Sequence, residues 1–565
     1  MMIEAEKVLV SHKVFTGLAD AAAALAVGIS GDRITWVEPA GRVGSSVAPV
    51  RDGAEVRNLG DAFIMPGFHD AHLHFFHSAL YASPLAARFV GTSEADCVRR
   101  LAPLAARRPT GSWLLAQGWR EAVWDVPRMP SKASLDAVYP NQPVALYSGD
   151  AHTLWLNSRA LAELGLTRAA QPPAGGEYER DADGKLTGIV REAAAMELMP
   201  RITAAFSDAE LLDAYRSFQA HLNAHGVTAV CDTALTATPG LDFVRDDLFE
   251  QLLNDGELTL RTHLFPTLLP DTQRLKQLQE RLRGPLLQAR GYKQFFDGVS
   301  SQHTAWVREP YANARFADDC GRPTVEPAAL DAMVRAAVVA GDGVRIHAIG
   351  DEAIHQALDI YERALAEAKA GADAALRAAA KAKGEADAEI RDVPPAVALE
   401  HLENFQPDDI ARMAQLGVIA SVQPRHITLD PGGPERDLGA ERVRFMWPFR
   451  SLLDAGASLA FGTDSPVTDI DPLAVIYAAV MRKDAQTREP EGGWLPHERI
   501  TVAEALRAAT QGSAAAAGRQ HELGSLRPGM FADITVLEAD PLTIDPEDIP
   551  AIPIAAVYVA GEQVR

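Results

Sequence analysis

Residues 65–77 read MPGFHDAHLHFFH. Four of the chain's 16 histidines, His69, His72, His74 and His77, fall in this short run. An apolar stretch leads into it through Ala62, Phe63, Ile64 and Met65. In an extended segment alternate side chains share a face, so His72 and His74 can present two imidazoles to one ion. Nitrogen ligands of this kind suit zinc and related divalent metals. The reading therefore starts from a strand, 62–68, that ends in a candidate metal site.

Further strands are sought outward from this one. VTAVCD (227–232), LTLRTHLF (258–265), YKQFFDG (292–298), VRIHAIG (344–350), AVALEH (396–401), GVIASVQ (417–423) and SLAFGTD (458–464) are short apolar runs, mostly separated by helix-periodic segments. With 62–68 they make eight strand–helix units, which predicts an α/β fold with a closed, TIM-like (β/α)8 barrel. The first 61 residues and residues 516–565 carry β-type alternation between Gly and Pro breaks. They predict a small β-sandwich domain formed by both termini around a barrel at 62–515. About 78–222 is too long for a loop and predicts a subdomain inserted after the first strand. The Ala-, Glu- and Lys-rich segment 363–390 predicts exposed helix on the surface.

Barrel enzymes react at the C-terminal ends of their strands. Those ends carry His72 and His74, then Lys293 and Asp297, then His347, His401 and Asp464. Each alone is more simply a satisfied polar side chain. Together, buried without a metal, they would cost several kcal/mol, on the order of a few per unpaired group. His152, His303, Gln423 and His426 are further candidates for the pocket, with Trp119, Trp155 and Trp306 as an apolar wall. Asp150 can reach over the barrel mouth with His152, and Asp70 can accept the second N–H of a ligand imidazole. His69 and His77 are expected to be supporting or structural.

Bulk composition narrows the partners. Asp and Glu number 76 against 54 Lys and Arg, a net charge of −22. Such a chain repels phosphate backbones and anionic lipid, so neither nucleic acid nor a membrane surface is expected as a partner. The three cysteines, Cys97, Cys231 and Cys320, form no C-x-x-C pair; this predicts a reducing, cytoplasmic setting without a disulfide framework. The N-terminus lacks a basic region followed by a long apolar core, and no signal peptide is expected. Homo-oligomerisation is an open expectation.

The ordered set PGFHDAHLH, SGDAHTLWLNSRAL, TGIVREAA, KQFFDGVSSQHTAW, RIHAIGDEAI, LEHLENF, ASVQPRH, FGTDSPVTDIDP and LGSLRPGMFADITVLEADPLT resembles the amidohydrolase superfamily. It is most similar to amidohydrolase family 3, the YtcJ-like group that includes N-substituted formamide deformylase. The resemblance implies His72, His74 and Asp464 around a first metal, and His347 and His401 on a second. It places Lys293 where many members carry an N6-carboxylysine bridging two ions. The alternative is a neutral Lys293 beside a single ion, with His347 joining the first metal and His401 supporting. Asp464 is the implied general base, zinc the expected metal, and a small amide, formamide or cyclic amide the expected substrate. An esterase, lactonase or dipeptidase on the same site, or a silent ligand-binding barrel, are the competing readings.

Overall fold

The computed structural model describes residues 3–149, 151–173, 176–235, 242–383 and 395–565. The barrel strands are β1 Phe68–Leu73, β2 Val227–Thr233, β3 Arg261–Phe265, β4 in two pieces (Leu287–Ala289 and Gly291–Phe295), β5 Gly343–Ala348, β6 Val397–His401, β7 Ile419–Val422 and β8 Leu459–Phe461. All pair in parallel: β1 to β4's first piece in one sheet, β4's second piece to β8 in another. Backbone hydrogen bonds close both seams. Asp464 N–H reaches His72 O at 2.7 Å and His74 N–H reaches Ser465 O at 2.9 Å. At the other seam Arg290 N–H reaches Leu264 O at 3.0 Å and Lys293 N–H reaches Pro266 O at 2.9 Å. The strands are short, rich in β-branched residues and buried nearly throughout. That is what parallel strands covered on both faces require.

The apolar run 62–68 is not one barrel strand. Phe63–Pro66 pairs with Ala5–Val14 and with Ile534–Leu537 in the terminal sheet. The barrel begins only at Phe68, past Gly67. The run looked continuous because both pieces are fully buried, and periodicity does not distinguish two buried strands in series. The terminal sheet has eight strands and is formed by both chain ends. It branches at Ala5–Val14, which pairs with Val50–Asn58 and Phe63–Pro66 along one edge and with Ala23–Ser30 on the other. Alternate residues of that strand feed separate apolar clusters, Leu9 one and Val8 the other.

The insertion folds around its own six-stranded sheet, ordered Gly176–Arg180, Leu186–Glu192, Thr153–Leu156, Val144–Ser148, Leu114–Trp119 and Ala86–Arg88. The helix Asp208–Ala224 then returns the chain to β2; Ser207 and Glu210 cap it reciprocally. The Ala-rich segment continues the helix Asp351–Lys383, which starts on the barrel wall through buried Ile354, Leu358 and Tyr361. Residues 384–390 of that segment lie outside the described residues. No helix among the described residues is long and apolar enough to cross a membrane.

Barrel and terminal sheet are joined by a buried ion pair. Arg261, at the start of β3, donates from its terminal nitrogen to Asp533 Oδ1 at 3.0 Å and from Nε to Oδ2. The Phe531 ring is sandwiched between the guanidinium groups of Arg261 and Arg33, 3.6 and 3.4 Å from its centroid. Removing one partner of such a pair strands the other charge out of water. Asp533→Ala is expected to destabilise the fold by about 3–5 kcal/mol, read from urea unfolding midpoints. A shift under about 1 kcal/mol, the range of an exposed pair, would show that the pair is not the joint described.

Candidate metal centre

β1 delivers His72 from its buried end and His74 from the residue just beyond it. β8 stops at Phe461, and Asp464 follows with φ of 55°. His401 closes β6 with φ of 73°. Left-handed backbone at a non-glycine residue costs on the order of 1–3 kcal/mol and is concentrated at functional sites. The close approach of β8 to β1 depends on Gly462, where a Cβ would come within 2.6 Å of the His72 nitrogen.

These residues meet at one carboxylate. Asp464 Oδ1 lies 3.2 Å from His74 Nε2 and 3.5 Å from His72 Nε2. Oδ2 lies 3.7 Å from His426 Nε2 and 4.0 Å from His401 Nδ1. Two three-residue donor sets result, sharing Asp464: His72 with His74, and His401 with His426. The His347 ring meets His401 edge to face, with centroids 4.4 Å apart and planes inclined by 61°. Lys293 is fully buried, its Nζ 5.0 Å from the centroid of the Phe295 ring. His347 falls outside both donor sets.

The atoms left over are those a cation would use. His72 Nε2, His347 Nδ1, His426 Nε2, Asp464 Oδ1 and Lys293 Nζ are buried with no hydrogen-bond partner among the described residues. The opposite ring nitrogens are engaged. His72 Nδ1 donates to Glu400 at 2.5 Å, His74 Nδ1 to the Thr233 carbonyl at 2.8 Å, and His347 Nε2 to the Gly298 carbonyl at 3.1 Å. Such contacts fix the tautomer and aim the free nitrogen. Protonation states agree. Burial pushes His72 down to about 4 and His347 to about 3, and lowers His401 and His426. Burial works against ionisation of Asp464, but His74, His72 and His426 outweigh it and hold its carboxyl well below the usual range. Neutral imidazoles and an ionised carboxylate are what metal binding selects, so the residues fit a divalent ion.

Glu400 and Arg345 escaped the sequence reading. Glu400 is fully buried and joins His72 to Arg345, whose Nε donates to it at 2.5 Å. Arg345 also donates to the Ala71 carbonyl at 2.6 Å and to Ser421 Oγ at 3.0 Å. The available signal was a charge inside each of two neighbouring apolar strands, VRIHAIG and AVALEH. Asp70 does not orient an imidazole. It accepts the backbone N–H groups of His72 and Thr463 and the Thr463 hydroxyl, at 3.1, 3.0 and 2.6 Å, and so pins β1 to the segment carrying Asp464.

The remaining candidates divide. Gln423 accepts from His401 Nδ1 at 2.9 Å. His303 is held by Asp319 at 2.6 Å and stacked on Tyr311. His152 pairs with Glu192 at 2.8 Å in the insertion; Asp150 lies outside the described residues. Trp119 does not line the pocket: it donates to the Leu146 carbonyl at 2.9 Å and packs with Trp124 and Trp155 in the insertion's own core. Trp306 acts through its backbone, donating to Asp297 at 2.9 Å and accepting from the first turn of the helix Asp351–Lys383, while its ring packs against Phe296. His77 is buried beside Met199 and Phe243. His69, Cys231 and His263 form another compact group. Arg519 already donates to His263 Nε2 at 3.3 Å, and Arg345 and Arg519 act on His69 as charges. That surrounding positive charge opposes a cation.

Two predictions follow from these contacts. Glu400→Gln removes the carboxylate that fixes the His72 tautomer, and metal affinity is expected to fall about 10–100-fold in a competition titration with a chromophoric chelator; unchanged affinity would count against that role. Burial depresses Lys293 to about 8 from 10.5. Between those values the unfolded chain binds more protons, so stability of the metal-free chain rises with pH. At 1.36 kcal/mol per unit the penalty below pH 8 is about 3 kcal/mol. Lys293→Met is therefore expected to stabilise the metal-free chain at pH 7 and to lose that advantage toward pH 10.5; a pH-independent difference would contradict the assignment.

Comparison with known proteins follows the same lines. The pattern of the amidohydrolase family matches residues 55–565. Protein LONG AFTER FAR-RED 3 of Arabidopsis thaliana is 31% identical over 91% of this chain and 84% of its own length. N-substituted formamide deformylase of Arthrobacter pascens is 28% identical over 95% of this chain and 94% of its own. The crystal structure of an uncharacterized metal-dependent hydrolase from Pyrococcus furiosus superposes with a TM-score of 0.71 at 25% identity, covering 95% of this chain and all of that one. With a TIM-type barrel, a joined domain from both termini and a histidine–aspartate cluster at the strand ends, the chain belongs to the amidohydrolase family.

Proposed function

We propose that the protein is a metal-dependent hydrolase that cleaves a non-peptide carbon–nitrogen bond in a small amide, formamide or cyclic amide. The observation that carries this reading is the position of Asp464, within 4.0 Å of ring nitrogens from four histidines. His72, His74 and Asp464 would hold one divalent ion, zinc by ligand type; His401, with His347 or His426, and a carboxylated Lys293 would hold a second. A bound ion of this kind supplies Lewis acidity, lowering the pKa of a water toward about 7 and polarising a carbonyl.

The side chains do the rest. Asp464, kept ionised among the imidazoles, takes the proton of the attacking water and delivers it to the leaving nitrogen, so the amine departs neutral. A neutral imidazole not engaged as a ligand can donate to the developing oxyanion. His426, whose Nε2 lies 3.7 Å from Asp464 Oδ2, is the candidate for that role. The depressed pKa of Lys293 eases its deprotonation to the free amine, the form whose lone pair attack on carbon dioxide requires. The name of the Arthrobacter pascens relative puts formamides first among the amides to try.

The test is product analysis on matched formamides, cyclic amides and esters, with Asp464→Asn as the variant. The reading expects amine release and a loss of about 10²–10⁴-fold in kcat. Ester cleavage without amide cleavage, or full activity in Asp464→Asn, would overturn it.

A further inference from the structure

His347 stands one residue before the end of β5, and the chain then turns within two residues into the helix Asp351–Lys383. Backbone N–H groups in and beside this turn converge on one carboxylate, that of Asp297. Its Oδ1 accepts from Ile349 at 3.0 Å, and its Oδ2 accepts from Gly350 at 2.8 Å and from Trp306 at 2.9 Å. Asp297 is 1% exposed and lies two residues past the end of β4. One buried side chain thus ties the end of β4, the loop at Trp306 and the end of β5.

The surrounding backbone leaves the turn little freedom. The Trp306 carbonyl accepts from Glu352 and Ala353, at 3.2 Å each. A Cβ on Gly350 would collide with that same oxygen, and one on Gly298 would collide with the Thr304 hydroxyl. The Ile349 carbonyl accepts both the backbone and the side-chain N–H of Asn404, each at 3.0 Å, three residues past His401. The Ile349–Gly350 peptide is therefore held at its N–H by Asp297 and at its carbonyl by Asn404. The imidazole of His347 donates from Nε2 to the Gly298 carbonyl at 3.1 Å, whereas Asp297 Oδ1 stands 3.6 Å from that nitrogen. The longer separation exceeds a hydrogen bond. The carboxylate thus acts on the ring through the backbone that carries it. His347 Nδ1 is left buried with no hydrogen-bond partner among the described residues, and the His401 ring lies against the His347 ring.

We infer that Asp297 is the positioning residue for His347: without touching an ion, it fixes in advance the place from which His347 Nδ1 meets one. Supporting contacts of this kind set ligand orientation and affinity. The inference rests on the metal-dependent reading above and deepens it, since Asp70 and Glu400 bear on His72 and leave the His347 side to another support.

The test is a double-mutant cycle on the full chain, with zinc affinity read by competition with a chromophoric chelator. The four proteins are the native chain, Asp297→Asn, His347→Ala and the double variant. Asp297→Asn keeps the side chain's shape and turns one accepting oxygen into a donor. It is expected to weaken at least one zinc equivalent about 10–100-fold, and His347→Ala at least as much. The double variant should bind within about twofold of His347→Ala, because the two residues act as one. Losses that multiply, or unchanged affinity in either single variant, would overturn the inference. Hydrogen exchange on the native chain needs no variant to fold. Peptides covering 304–307 and 348–351 should exchange slowly with and without zinc; protection that appears only on adding zinc would show the ion building the turn, and would overturn the inference as well. The expected cycle without cleavage of any amide or formamide would sink the hydrolase reading alone, whereas cleavage with multiplying losses would sink this inference alone.

Discussion

Everything at the mouth of this barrel depends on the cost of taking polar nitrogen and oxygen atoms out of water. Imidazoles from β1, β5 and β6, a lysine from β4 and an aspartate beyond β8 end in one dry pocket. A hydroxyl or amide left there without a partner costs about 1–3 kcal/mol in proteins, and a charge costs more. The fold meets part of that cost with protein contacts: Glu400, Thr233 and Gly298 each take one ring nitrogen. The other ring nitrogens of His72 and His74 lie 3.5 and 3.2 Å from Asp464 Oδ1. Desolvation keeps His72 and His347 neutral while Asp464 stays ionised. The same physics that makes the cluster expensive makes it ready for a cation.

The polar chain beneath the cluster explains why it holds its shape. Arg345 ties Glu400, Ser421 and the Ala71 carbonyl together inside the barrel. Glu400 is fully buried, and burial alone would protonate it, but Arg345 and His72 keep it ionised. Asp70 performs a second tie, from β1 to the backbone of Thr463. Through these contacts the positions of His72 and Asp464 are set by the barrel wall and not by a mobile loop. The insertion rests on the loop after Asp464 through Arg88.

Much of this was legible in the chain itself. His72 and His74 announce themselves by a spacing of two at the end of an apolar run, and His347, His401 and Asp464 by standing at the ends of others. The eight barrel strands, the joined termini and the insertion were readable from the rhythm of apolar runs. The start of the barrel was not, because Phe63–Pro66 and Phe68–Leu73 are buried alike while belonging to different sheets. Arg345 and Glu400 were hidden because a buried ion pair between neighbouring strands leaves no periodic trace. Trp119 misled in the opposite direction. An aromatic residue near a motif can as well be core, and only packing shows that it stacks with Trp124 and Trp155. Local spacing reports ligands from one strand, whereas tertiary register decides which other residues reach them.

The central claim is that these side chains are arranged around a cation. It is tested most directly by a crystal of the full chain, grown after zinc loading, with diffraction recorded on both sides of the zinc absorption edge. The account predicts an anomalous peak within coordination distance of His72 Nε2, His74 Nε2 and Asp464, about 2.0–2.2 Å. A well-ordered crystal whose anomalous map is flat between those three residues would contradict it.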